Sequence, residues 1–413
     1  MTTTAFVTKP GIQQRLREGP IGDFMDLYAA HLMQQGYTRE SGRRLIKIAS
    51  DLSCWLKRKR LALGDLDELV LDRYYRYRKR RRYCGRHARA ALGKVLTLLR
   101  DVDACNPRKR VAPNASEILI KEFRVYLTEK VGLRVASFIR RLPTVRRFLD
   151  EQFGDGILDW SDLSAETVIG FVQRHAHDYS PASAQSMCLA LRSFFRYLTY
   201  RGYLNTHYAK AVPSVRQWKL SGVPQYLSPQ QIQRVLVRCD RSAARGKRDY
   251  AILLLLARLG LRSKEVVGLS LDDIDWSSGQ FTLRNTKTER SVTMPLLTDV
   301  GEALADYLKS ARPPSVSRRV FLRESAPHVG FADSAAIYDI VKSALARASV
   351  DAPRKGGHLF RHSLATEMLR SGATLREIGH VLRHRDPDTT RIYAKVDLPA
   401  LRTLALPWPG EVR

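Results

Sequence analysis

Between residues 20 and 205 the apolar positions recur at steps of three and four between short polar breaks, the period of amphipathic helices. A faint repeat runs through this stretch. Leu45, Ile46, Leu52, Trp55 and Leu56 match Phe138, Ile139, Val145, Phe148 and Leu149 at an offset of 93 residues, and Leu66, Leu71 and Tyr74 match Leu163, Val168 and Phe171 at 97. Helical stretches share a period in any case, so chance matching stands as an alternative. The pattern predicts two four-helix modules, at 20–106 and 113–205, behind a tail at 1–19. Pro213, Gly222 and Pro224 mark a linker at 206–225.

From Tyr226 the texture changes. Ser228-Pro229 is a helix start, with Ser as N-cap and Pro in the first turn. A second helix is expected over Asp249–Leu259, stopped by Gly260 as a left-handed cap, with another opening near Ser263. Apolar and polar residues then alternate over Gln280–Lys287 and Ser291–Pro295 around a charged turn, a hairpin pattern. Helical periodicity returns after Asp299, giving an α+β domain over 226–400 and a tail at 401–413. Leu398, Leu401 and Leu404 form a stripe there that either folds onto its own domain or docks on another protomer.

With 413 residues at about 150 per domain, two or three cores fit. Lys plus Arg number 70 against 41 Asp plus Glu, while 44% of the residues are hydrophobic. That is too apolar for a basic disordered tail, and folded domains with this excess of positive charge face a polyanion, first of all nucleic acid. The longest apolar run, Ala251–Ala257, is well short of the roughly 20 residues that cross a bilayer. No secretory signal is visible at the start, so a cytoplasmic, nucleoid-associated protein without a membrane partner is expected. Cys54, Cys84, Cys105, Cys188 and Cys239 form no C-x-x-C pair, so no metal site is indicated. The densest charge is Arg73-Tyr-Tyr-Arg-Tyr-Arg-Lys-Arg-Arg-Arg82. Like charges at helical spacing repel unless an anion relieves them, so Arg76, Lys79, Arg80, Arg81, Arg82 and Arg86 are candidate DNA contacts. Tyr74 and Tyr77 are expected to pack inward.

The chemistry-bearing residues lie in the last domain. Arg262 stands where one helix ends and the next begins; alone it reads as a surface arginine paired with Glu265. Lys287 sits in the hairpin turn. His358 and Arg361, three apart, share a helix face, which Leu364, Ala365, Met368 and Leu369 would anchor. His384 and Tyr393 follow, and Pro387 forbids one helix across them, so Asp388 or Thr389 would cap a separate helix carrying the tyrosine. Around a phosphodiester, Arg262 and Arg361 could each offer paired donors to the nonbridging oxygens. His358 and His384 could donate hydrogen bonds or move a proton, Lys287 could protonate the departing sugar oxygen, and Tyr393 would supply the attacking oxygen. Such a site needs neither metal nor other cofactor.

The order Arg262, Lys287, His358-x-x-Arg361, His384, Tyr393 resembles the tyrosine recombinases of the phage-integrase and Xer type. The strings Leu259-Gly-Leu-Arg262-Ser-Lys-Glu265, Arg361-His-Ser-Leu-Ala-Thr366 and Thr389-Thr-Arg-Ile-Tyr393 carry it, and 115–205 resembles the family's core-DNA-binding module. One departure is visible: Gly usually precedes the histidine at 384, and Arg383 stands here. The resemblance implies a mainly α fold with a small β-sheet, in which two helical SAM-like DNA-binding modules precede an α+β catalytic domain. It implies a site-specific DNA recombinase working through a 3′-phosphotyrosine and a free 5′-hydroxyl, without ATP. Its partner would be double-stranded DNA, gripped as a dimer to tetramer, with sister recombinases an open option, and a mobile-element integrase or transposase is favoured. The rivals are a DNA-binding protein without catalysis and a type IB-like topoisomerase. An RNA-binding protein would explain the charge but not the ordered set.

Overall fold

The computed structural model describes residues 2–81, 88–107, 113–154, 156–215, 222–284, 291–396 and 402, without the side chains of Arg81 and Ala136. It is mainly helical with one small antiparallel sheet, and it forms two compact units. One joins residues 1–107 to 222–413; the other is 108–221.

In the first unit, α1 (Pro10–Leu16), α2 (Met25–Gln34), α3 (Arg39–Arg58), α4 (Glu68–Arg81) and α5 (Ala88–Asp101) share one core. Trp55 on α3 meets Tyr74 and Tyr77 of α4 at ring distances of 5.3 and 6.2 Å, so these tyrosines do pack inward. The expected tail at 1–19 is not a tail. Phe6, Val7 and Leu16 enter the core, and the Asp26 carboxylate accepts from the backbone and hydroxyl of Thr3 at 2.8 and 2.9 Å.

The second unit holds α6 (Ala115–Glu129), α7 (Val135–Phe138), α8 (Leu142–Phe153), α9 (Ala165–Ala176) and α10 (Pro181–Tyr200). Asn114, Ser164 and Ser180 cap α6, α9 and α10 with their side-chain oxygens. Phe123, Phe148, Phe171, Phe194 and Phe195 fill the centre. The register of the repeat breaks where α3 is continuous and its counterpart divides into α7 and α8: Ile46 is fully buried, while Ile139 is 50% exposed. The first half of the expected linker also belongs here. Val212 is buried in this core, and one Arg192 amino group donates to the carbonyls of Val212 and Pro213 at 3.0 Å.

From Pro229 the first unit resumes with α11 (Pro229–Val237), α12 (Ala244–Leu259) and α13 (Ser263–Gly268). Ser228 and Gln231 form a reciprocal capping box at the start of α11. Helix α12 is buried along Ala251–Ala257, as its unbroken apolar run requires. Strands β1 (Ile274–Asp275), β2 (Gln280–Leu283) and β3 (Val292–Pro295) pair in that order, with Phe281 opposite both Ile274 and Met294. Phe281 and Leu283, two apart, face the core. Helices α14 (Thr298–Ser310), α15 (Ala335–Arg347), α16 (Gly357–Arg370) and α17 (Leu375–Val381) complete the element order. The two parts of this unit touch at Gly36 (φ +77°), where a Cβ would lie 2.1 Å from the His328 ring and the neighbouring Gln35 carbonyl accepts the His328 N–H.

Candidate active site

Helix α12 ends on Gly260, which is left-handed (φ +56°), and a Cβ there would lie 2.9 Å from Leu382. Both the dihedral and the close approach call for glycine. The turn delivers Arg262 as the residue ahead of α13. Glu265 accepts from its backbone N–H and from its guanidinium, both at 2.8 Å. Burial pushes the Glu265 carboxyl up, but the Arg383 charge and the Arg262 hydrogen bonds outweigh it and hold the group below the usual carboxylate range.

Arg361 on α16 is 3% exposed and donates to the carbonyls of Gly260 and Leu382. Burial, then the charges of Arg262 and Arg383, bring its pKa down to about 9. Arg383 occupies the place where resemblance led one to expect glycine, and it adopts the same left-handed backbone, φ +56°. For a non-glycine residue that conformation costs about 1–2 kcal/mol. The site offers compensation: the Arg383 guanidinium binds Glu265 at 3.1 Å, and its carbonyl accepts from Arg262 at 3.1 Å. Two guanidinium groups thus share the Glu265 carboxylate, while Arg361, buried beside them, pairs with no carboxylate, so among the described residues three cations stand against one anion.

His384 hydrogen-bonds Thr390 Oγ1 through Nδ1 at 2.7 Å, and its ring lies parallel to Tyr393 at 6.5 Å. Burial, then the Arg361 and Arg262 charges, lower its pKa to about 4. His358 opens towards solvent on the same face of α16 as Arg361. Desolvation by the surrounding protein and the same two arginines hold it below the ordinary histidine value. Tyr393 sits in a 3-10 turn, Arg391–Val396, rather than the α-helix expected. Asp386 caps the preceding turn, Pro387–Thr389, by accepting from the Asp388 N–H at 3.0 Å, and Thr390, the residue ahead of the tyrosine's turn, bonds His384. The tyrosine ring is 1% exposed, packed with Ala365, Ile378, Leu382 and Val396. Its phenol is pushed up to about 12 by burial, partly offset by the Arg361 charge.

The structure therefore brings together Arg262, His358, Arg361, His384 and Tyr393 from segments up to 131 residues apart. Lys287 falls outside the described residues. Two further residues join this cluster, Arg383 and His362. Arg383 stood out only as a departure. His362 binds Tyr393 and is detectable in sequence as the residue four after His358, on the same helical face.

Of the candidate DNA contacts, Arg76, Lys79 and Arg80 lie exposed along α4 and pair with no carboxylate among the described residues. Arg81 ends that helix but its side chain is not described, and Arg82 and Arg86 fall outside the described residues. Arg78 of the same run is instead held inward by Asp51 at 3.0 Å and Tyr74 at 3.1 Å. Among the described residues no group of three or more His, Cys, Asp or Glu could hold a metal ion, and no helix is long and apolar enough to cross a membrane. The described cysteines are free, and burial raises Cys105, Cys188 and Cys239. Cys84 and the leucine stripe of the tail fall outside the described residues.

A family model described as the phage integrase family matches residues 225–398. The integrase/recombinase y4rA of Sinorhizobium fredii is 43% identical over 99% of both chains. Among solved structures, the XerH site-specific recombinase bound to a palindromic difH substrate has a TM-score of 0.53 at 20% identity, covering 82% of this chain and 94% of that one. A lambda integrase tetramer bound to a Holliday junction has a TM-score of 0.52 at 14% identity, covering 75% and 88%.

Proposed function

Because the chain belongs to the phage integrase family of tyrosine recombinases and is an integrase/recombinase of site-specific recombination, we propose that Tyr393 attacks a DNA phosphodiester held by Arg262 and Arg361. The observation that carries this is the meeting of a buried phenol with a guanidinium cluster short of counter-charge. A nonbridging phosphate pair supplies the missing anion, and charge that builds in the transition state is met by donors already in place. His358 and His384, held largely neutral, donate hydrogen bonds to the same oxygens, while Lys287 protonates the departing 5′-oxygen. The product is a 3′-phosphotyrosine and a free 5′-hydroxyl. A 5′-hydroxyl of the partner strand reverses the step, so one phosphoester replaces another and no ATP is consumed.

In this reading the segments 20–106 and 113–205 act as SAM-like helical DNA-binding modules, and the catalytic domain spans 226–400. Double-stranded DNA is the partner, with protomers assembling on it as a dimer to tetramer. Residues 1–106 suit the integrase of a mobile element, an extra module beside the core-binding one. The test is a nicked suicide duplex that loses its 5′-hydroxyl strand after cleavage. An SDS-resistant adduct is expected at the same rate with and without excess EDTA, and peptide mapping is expected to find the nucleotide on Tyr393. A nucleotide on another residue, or inhibition by EDTA that magnesium reverses, would count against this site.

Helix α4 carries its own expectation. Changing Arg76, Lys79 and Arg80 together to Gln should weaken duplex binding and flatten the dependence of log K on log salt by roughly 2 to 3, at about 0.9 for each phosphate no longer neutralised. An unchanged slope in a salt titration would move the DNA-binding surface off this helix.

A further inference from the structure

His362 lies next to Arg361 on α16, and its Nδ1 is 2.9 Å from the Tyr393 hydroxyl, with the two rings 5.6 Å apart at 60°. The other titratable groups near the phenol are differently engaged. His384 stacks parallel to the ring, but its Nδ1 is bonded to Thr390, and its ring is 6.5 Å away between centres. His358, one helical turn before, is 6.3 Å from the His362 ring. Arg361 and Arg354 are cations and accept no proton. Among the described residues, His362 is the proton acceptor in contact with the oxygen that attacks.

We propose that His362 takes the phenolic proton of Tyr393 as the tyrosine attacks the phosphodiester. This rests on Tyr393 being the nucleophile. An oxygen lone pair of Tyr393 forms the new P–O bond while the bond from phosphorus to the 5′-oxygen breaks with its electron pair. The phenolic proton passes to His362 Nδ1, and the general acid of the site, assigned above to Lys287, protonates the leaving 5′-oxygen. In the return step the incoming 5′-hydroxyl gives its proton to that base, and the imidazolium at 362 returns its proton to the phenol as the phosphotyrosine breaks. Protons and electrons balance in both directions. For the phenol to donate, Nε2 must carry the imidazole proton in the resting state.

The environment suits the role. Desolvation, then the charges of His358, Arg361 and Arg354, bring the His362 pKa down to about 4, so the ring is neutral and ready to accept at neutral pH. Without substrate the transfer is steeply uphill, because the phenol holds its proton tightly. The phosphodiester changes both sides of that balance. Its negative charge raises the proton affinity of a nearby imidazole, and bond formation to phosphorus makes the phenol strongly acidic. The geometry thus couples deprotonation of the nucleophile to the arrival of DNA.

The experiment is single-turnover cleavage of the suicide duplex by the full chain. His362→Asn keeps a hydrogen-bonding atom near the Nδ1 position but removes the base. Cleavage should fall by about a hundredfold, at the low end of general-base contributions, with half-site binding retained. Site-specific 3-fluorotyrosine at 393, a more acidic phenol, should recover a large part of that loss in the Asn variant while changing the unsubstituted protein little. Cleavage by His362→Asn within about threefold of the starting protein, or a deficit that fluorotyrosine leaves untouched, overturns the proposal and reduces His362 to a positioning role. The unsubstituted protein supplies a measurement that needs no variant. Its cleavage rate should be flat between pH 6 and 8, below the range in which Arg361 begins to lose its charge, whereas a rate rising tenfold per pH unit there would mean that free phenolate attacks unaided. An adduct absent from Tyr393 altogether would instead refute the nucleophile assignment.

Discussion

Tyr393→Phe should yield a folded protein that binds a half-site and leaves no covalent adduct, with cleavage reduced to background, a loss on the order of 10⁶-fold where a nucleophile is removed. The change deletes one oxygen. The ring keeps its place among Ala365, Ile378, Leu382 and Val396, and the forfeited hydrogen bond to His362 contributes about 1 kcal/mol to stability. Folding is therefore expected to survive, with thermal unfolding moved by a few degrees. An undiminished adduct would transfer the chemistry to another oxygen. Tyr338 on α15, 46% exposed, is the residue to examine in that event.

Arg262→Lys and Arg361→Lys form the second expectation, and the structure separates them. Arg262 is partly exposed, gripped by Glu265 and donating to the Arg383 carbonyl. A lysine there keeps the charge but replaces a planar fork with a point charge. Cleavage should fall by about a hundredfold or more, the scale of losing one preorganised donor at an oxyanion, while duplex affinity changes little. Arg361 is buried and also satisfies the carbonyls of Gly260 and Leu382. Its replacement should cost the same catalysis and, in addition, about 1–3 kcal/mol of stability from a carbonyl left unpaired. A thermal melt distinguishes the two variants where cleavage assays do not. Equal losses of binding and cleavage at Arg262 would show an anchor and not a transition-state donor.

Arg383 illustrates why a one-residue departure from a family pattern is hard to read in advance. In sequence it is a glycine position filled by the wrong residue. In the fold it keeps the glycine-like backbone and adds a cation that shares Glu265 with Arg262, so the departure enters the site's electrostatics directly. The α4 run carried a comparable ambiguity. Ten consecutive residues without an acid predicted a face for DNA, yet Asp51, from the neighbouring helix, neutralises Arg78, and only the side chains on the outward face remain available.

Much of the fold was already in the linear pattern. Ser228 with Pro229, the stop at Gly260 and the alternation through Phe281 and Leu283 act over a few residues, so local preference and burial period suffice to determine a cap, a helix end and a hairpin. The ordered set from Arg262 to Tyr393 was legible for a different reason: its order and local strings resemble those of the tyrosine recombinases, the family to which the chain belongs. Contacts between distant segments were not legible. The burial of Phe6, Val7 and Leu16, the packing of Val212 beyond its helix, the 3-10 turn that carries Tyr393 and the pairing of His362 with the phenol each depend on which surfaces meet after collapse. No local propensity encodes such a meeting, because its free energy comes from burying two remote surfaces together. The sequence by itself determined which charged and titratable groups are present and on which elements they ride; the tertiary structure alone decided that His362 meets the Tyr393 hydroxyl and that Arg262 and Arg383 share Glu265 beside the buried Arg361, because those contacts join segments far apart in the chain.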